Sequence, residues 1–229
     1  MNVLFLFRNL KAIAAIATLA IGMSACAALP GSGSSSWKEQ VLLHDGQKII
    51  VERSQSYGGR SEPGQSSPVK EHRVRFKLPG STSTITWTSE YGDDLGRTNF
   101  NLLALHIRDA VPYLVVEPNL CLSYNKSGRP NPPYVFFKYE AKEWRRIALE
   151  ALPAEFKTLN VVINNSRQTD IEELQKGAGY VPAEDVQAIN RSLRQPEYRS
   201  ILREPLERDK CPQYSSGPRA PNPITPSTK

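Results

Sequence analysis

In 229 residues the chain carries 29 basic and 23 acidic side chains, a formal charge of +6, and 39% of its residues are hydrophobic. That length suits one domain with a true core. The basic excess is scattered, with no run of like charge long enough for a nucleic-acid groove, so no nucleic-acid partner is expected.

The chain opens with Arg8 and Lys11, continues through the uncharged apolar run AIAAIATLAIGMSA, and reaches Cys26. A basic stretch, a short apolar run and small residues before a cut make a secretory signal. The run falls short of the roughly 20 residues that a membrane-spanning helix requires. Met23-Ser24-Ala25-Cys26 resembles the lipobox of bacterial lipoproteins, with Met23 where Leu is usual. That resemblance implies cleavage before Cys26, a diacylglycerol on its thiol and acylation of the new amino terminus. Membrane lipid is then the first expected partner, because several acyl chains anchor a protein stably where one does not. Residues 1–25 are read as the signal peptide, and 26–36 as the lipidated cysteine with a flexible Gly/Ser linker. Ala27 follows the cysteine. By the enterobacterial sorting rule that comes with the resemblance, it points to the periplasmic face of the outer membrane, with the inner membrane as the alternative. Loss of Arg8 and Lys11 with the signal takes 29 basic residues to 27 against 23 acidic ones, a formal +4.

Residues 37–163 read as successive β-hairpins. In WKEQVLLHDGQKIIVERS, two apolar runs flank His44-Asp45-Gly46, and Asp-Gly between such runs marks a hairpin. A polar stretch from Tyr57 to Glu71 follows. HRVRFKL alternates Val74, Phe76 and Leu78 with Arg73, Arg75 and Lys77, so one face is buried and the other wet. STITWTS is its partner across Pro79-Gly80-Ser81-Thr82. LLALHI pairs with PYLVVE, turning at Arg108-Asp109-Ala110, and YVFFKY pairs with EWRRIAL, turning at Glu140-Ala141-Lys142. Leu159 to Ile163 offers a further strand. The expected fold class is mainly β, an antiparallel sandwich, open barrel or propeller-like stack, with a small C-terminal helical segment.

That helical segment is assigned to residues 164–211. Asp170 and Glu173 resemble a capping box, and Gly177 sits at the expected stop. Pro182 opens a second helix with Val186, Ile189 and Leu193 on one face, and Arg191 and Arg194 toward its end. A third is expected from Pro196 to Arg203, presenting Tyr198, Ile201 and Leu202. Residues 212–229, rich in Pro and polar groups, are expected to be a disordered tail. With Cys26 lipidated, Cys121 and Cys211 are left as a pair in an oxidising compartment, and a disulfide between them is expected. Neither has a second Cys or a His at ligand spacing, so no metal site is expected.

The motifs of nucleotide binding, serine hydrolysis and zinc peptidases do not occur in the sequence, and neither a catalytic set nor a cofactor is assigned. His44 reads as a turn residue, His72 as the exposed start of a strand and His106 as a core residue. EYGDD, Glu90 to Asp94, reads as a solvated acidic turn rather than a calcium loop. Ser54 and Ser56 beside Gly58-Gly59 have no base placed near them. The best surface candidate is YNKSGRPNPPY, whose Tyr124, Lys126, Arg129, Asn131 and Tyr134 form a candidate binding loop, since loops on rigid scaffolds carry binding and Tyr and Arg make anchors.

The stretches VLLHDGQKIIVERS, FNLLALHI, LCLSYNKSGRPNPPYVFFKY and EWRRI resemble uncharacterised proteobacterial lipoproteins, and that resemblance transfers no functional residues. The expected function is a membrane-anchored binding or envelope-accessory module with an envelope protein or cell-wall partner. Two alternatives are an envelope-polymer hydrolase built on dispersed carboxylates such as Glu90, Asp93 and Asp94, and an inhibitor or immunity-type lipoprotein.

Overall fold

A computed structural model describes residues 33–163 and 168–211. The expected signal, Cys26 and the expected tail beyond Cys211 lie outside them. Two four-stranded antiparallel sheets dominate. The first is a meander of β1 (Ser34–Leu42), β2 (Lys48–Tyr57), β3 (Val69–Lys77) and β4 (Thr84–Thr88). A two-stranded ribbon follows, β5 (Tyr91–Gly92) with β6 (Arg97–Thr98). The second sheet is formed by β7 (Phe100–Arg108), β8 (Val111–Pro118), β9 (Val135–Glu140) and β10 (Glu143–Ile147), with the short helix α1 (Leu120–Lys126) between β8 and β9. Helices α2 (Gln168–Ala178) and α3 (Ala183–Asn190) end the regular structure. The chain is thus mainly β with a small C-terminal helical part, as its hairpin pattern suggests.

The core explains the arrangement. Val41, Val51, Val74, Phe76, Ile85 and Trp87 on the inner face of the first sheet meet Phe100, Leu102, Leu105, Ile107, Leu114, Val116 and Val135 of the second, forming a two-layer sandwich. The second sheet is buried on its other face too. Leu103, Ala104, Val115 and Phe136 pack there against Leu152, Phe156, Leu159 and Ile201. This two-sided burial accounts for the near-continuous apolar runs of β7 and β8, whereas β3 and β4 alternate because only one of their faces is covered. Tight turns join the strands. Asp109 and Ala110 have φ of 51° and 58°, and Ala141 and Lys142 have 51° and 66°. Both turns therefore hold two successive residues at positive φ, the backbone of two-residue hairpin loops.

Side-chain amides close the sandwich edges. Asn160 accepts from the Leu105 N–H at 2.9 Å and donates to the Leu105 and Leu42 carbonyls at 2.7 and 3.0 Å. It therefore satisfies the edge of β7 and ties it to β1. Along β1, Val181 forms a short parallel bridge, accepting from Gln40 N–H and donating to Lys38 C=O, each at 2.8 Å.

Several local expectations change. β1 begins at Ser34, so its first three residues belong to the strand and not to the linker. Leu159 to Ile163 is not a strand. The Asn190 side-chain amide bonds its backbone at Val161 and Ile163, and its apolar side chains pack in the core, with no ladder. Asp170 lies inside the first turn of α2, and the helix runs through Gly177 to Ala178, ending at Gly179 with φ 76°, the position that needs a glycine. α3 stops at Asn190, before Leu193, and the third helix is a single turn over Pro196–Tyr198.

Candidate functional site

The first sheet has a covered face and an open one. Its open face carries Lys38 opposite Glu52, and Glu52 opposite Arg75, which in turn faces Thr86. A second row runs Ser36, Ser54, Arg73 and Thr88. Around these rows are two concavities that share Lys38, Glu52 and Arg75 and so form one trough. One part, of about 600 Å³, also takes in Lys48, Ile50, Lys77 and Pro79. The other, of about 450 Å³, reaches Ser36, Arg73, Gln175 and Gly179, so the end of α2 forms part of its wall.

Five exposed cations border the trough: Lys38, Lys48, Arg73, Arg75 and Lys77. Three carboxylates answer them, pairing Lys48 with Glu184 at 2.7 Å, Arg73 with Glu71 at 3.0 Å and Arg75 with Glu52 at 3.4 Å. Lys48 holds the Glu184 carboxyl below the usual range. Lys38 and Lys77 have no ion-pair partner among the described residues. Ile50, which lines the larger part, is 41% exposed. The trough therefore combines excess positive charge with an exposed apolar side chain.

On the inner face of the same strands, beside the apolar core, lies a group of buried polar side chains. Arg53 and Glu39 form a salt bridge at 2.8 Å with side chains 2% and 0% exposed. The Glu39 carboxylate also accepts from the Trp37 indole N–H at 2.7 Å and the Val162 N–H at 3.2 Å, while the Arg53 guanidinium lies over the Trp37 ring. Breaking one partner of such a pair strands a buried charge, so this knot fixes the β1–β2 register beneath the trough. A second polar line runs from Gln55 to the His72 Nδ1 at 3.1 Å, and from His72 Nε2 to Asn101 at 3.2 Å. Asn101 reaches Glu117, whose carboxylate receives the Tyr198 hydroxyl at 2.8 Å and Lys210 at 2.5 Å. His72 is therefore buried, not the exposed strand start that the sequence suggests. Burial, helped by the Arg53 charge, lowers its pKa to about 4.

Cys121 and Cys211 are joined by a disulfide with Cα atoms 5.5 Å apart. It ties the start of α1 to the C-terminal segment. The candidate binding loop lies beside it, but much of it is turned inward. Tyr124 sits in α1 and is fully buried, and Tyr134 is buried with its hydroxyl donating to the Glu197 and Ser200 carbonyls. Arg129 donates to Asn125, Asp209 and the Cys211 carbonyl, and Asn131 both donates to and accepts from the Leu206 backbone. These groups hold the C-terminal strap. Lys126 is exposed and pairs with Asp94 at 2.5 Å, which brings the predicted loop and the acidic turn together. Pro130, Asn131, Pro132 and Tyr134 do border a separate concavity of about 440 Å³ beside β10.

Glu90, Asp93 and Asp94 belong to the β5–β6 ribbon region and line none of these three concavities. The histidines meet only in part. His44 and His106 have ring centroids 6.4 Å apart around Phe156, while His72 belongs to the polar line described above. No group of three or more metal-binding side chains occurs among the described residues. The trough cations went unassigned in the sequence, although the alternation of Arg73, Arg75 and Lys77 on one strand was its visible trace. No family model, curated protein or solved structure matches the chain. No helix among the described residues is long and apolar enough to cross a membrane.

Proposed function

We propose that the protein is a lipid-anchored binding module of the bacterial envelope, held through Cys26 at the periplasmic face of the outer membrane. On this reading the open face of the first sheet receives an anionic envelope constituent. The observation that carries it is the trough, which five cations border, outnumbering their carboxylate partners, and whose larger part is also lined by Ile50. The lipobox resemblance supports the tether, and the Cys121–Cys211 disulfide is in keeping with an oxidising compartment.

Two measurements separate the parts of this proposal. Fatty-acid labelling of cells should mark the intact chain and not Cys26→Ser; equal labelling of both removes the anchor. A photo-crosslinking residue in place of Ile50 should capture an envelope constituent reproducibly, while the same residue in place of Glu143 on β10 should not. Identical adducts from both positions remove the trough as the site.

A further inference from the structure

We infer that the trough ligand is a phosphate-bearing anionic lipid headgroup of the membrane that carries the anchor. The inference rests on the tethered-module reading and names the ligand class for its site. Charge sets the chemistry. Lys38 and Lys77 are without ion-pair partners among the described residues, and Arg73 and Arg75 are paired only to exposed carboxylates that an incoming phosphate can displace. Arginine matches phosphate oxygens with two parallel N–H groups, and lysine supplies a compact charge beside them.

Spacing sets the size. Same-face residues on one strand lie about 6.7 Å apart, and neighbouring strands about 4.8 Å. Arg73, Arg75 and Lys77 therefore form a column along β3, with Lys38 across β2 from Arg75. A column of that pitch addresses one headgroup with two or three cations at once, or two headgroups side by side. Ile50 adds the apolar contact that an acyl chain beneath a headgroup offers and a soluble anion does not.

Reach sets the source. Ser36 lines the trough, and only nine residues lie between it and Cys26, a contour of at most ~36 Å. A tether that short lets the trough reach the bilayer surface, where anionic headgroups are at high local concentration. Juxtamembrane basic residues gain most within a Debye length of that surface.

The test uses the full mature chain with Cys26→Ser, so that the anchor itself does not bring the protein to lipid. Sedimentation is measured with vesicles of neutral phosphatidylcholine and with vesicles in which a quarter of the lipid is phosphatidylglycerol. Expected is binding to the anionic vesicles alone, weakened by added salt. Lys38→Gln/Arg75→Gln/Lys77→Gln should lower the affinity about 100-fold, at about fivefold per cation. Lys38→Arg/Lys77→Arg should keep it. A control, Lys142→Gln/Arg145→Gln/Lys157→Gln, changes the net charge equally at exposed sites outside the trough and should bind normally. Three results overturn the inference: no binding to anionic vesicles, equal loss in the control, or binding to soluble polyphosphate with none to vesicles. Each is independent of Cys26 acylation, so failure here and failure of the anchor are read separately.

Discussion

Acid should unfold this domain through two histidines. On β3, the Gln55 amide N–H donates to His72 Nδ1, which leaves Nε2–H to donate to the Asn101 oxygen. Protonating Nδ1 would set two donors against each other. Turning the Gln55 amide over would forfeit the bond its oxygen accepts from Tyr57. His106 donates from Nε2 to the Thr158 carbonyl and stacks on Phe156, while its buried Nδ1 has no hydrogen-bond partner among the described residues. Burial is the main cause that lowers each pKa from 6.5 to about 4. Both folded values lie below the unfolded value, so the unfolded chain binds more protons between them. Stability is therefore full above about pH 6.5 and falls as the pH drops toward 4, by roughly 3 kcal/mol per ring. Near pH 5 the two together give a slope of about 2 kcal/mol per pH unit. A domain with an ordinary margin of about 5–15 kcal/mol has much of it removed over that interval. Urea unfolding of the Cys26→Ser chain, followed by tryptophan fluorescence from pH 7 to 4.5, measures the slope. His72→Gln/His106→Gln should be less stable at pH 7 but clearly flatter with pH. An unchanged slope in that variant, or stability that rises on acidification, would refute the reasoning.

The remaining predictions concern what holds the site in place. Cys121→Ser/Cys211→Ser opens a loop with a sequence separation of 90 residues, and should cost about 4–5 kcal/mol in urea unfolding, with the same loss when the native chain is reduced. Glu39→Ala leaves Arg53 charged and buried without its partner, at a cost of about 3–5 kcal/mol, whereas Glu39→Leu/Arg53→Met should lose much less. A double variant as damaged as the single one would show that the knot matters by shape and not by charge. Asn160→Ala strips partners from the Leu105 N–H and from the Leu105 and Leu42 carbonyls, and should cost about 2–4 kcal/mol. Hydrogen exchange at the Leu105 amide should accelerate accordingly, and unchanged protection would mean that another group covers that edge.

What the sequence displays depends on how local each cause is. The two-residue period of HRVRFKL reports one covered face, and it places His72 on the same side as Val74 and Phe76. The histidine was thus legible as buried, and reading it as exposed gave too much weight to its position near the strand start. The unbroken run LLALHI reports burial on both faces, which needs a third layer, and Leu152, Phe156 and Ile201 supply it. The trough is a different kind of object. Lys38, Glu52 and Arg75 become neighbours only through the register of three strands, and a shift by one residue would turn every one of them inward. The asparagines are harder still. Asn131, Asn160 and Asn190 each use one amide to bond main-chain N–H and C=O groups of a distant segment, acting as a one-residue strand. In sequence such a residue looks like any loop asparagine, because the groups it satisfies lie 27 to 118 residues away. The same distance hid the intramolecular contacts of the candidate binding loop. Tyr, Arg and Asn among prolines are good anchors for a partner, and here the partner of Arg129 and Asn131 is the chain's own C-terminal strap, already stapled alongside by Cys121 and Cys211.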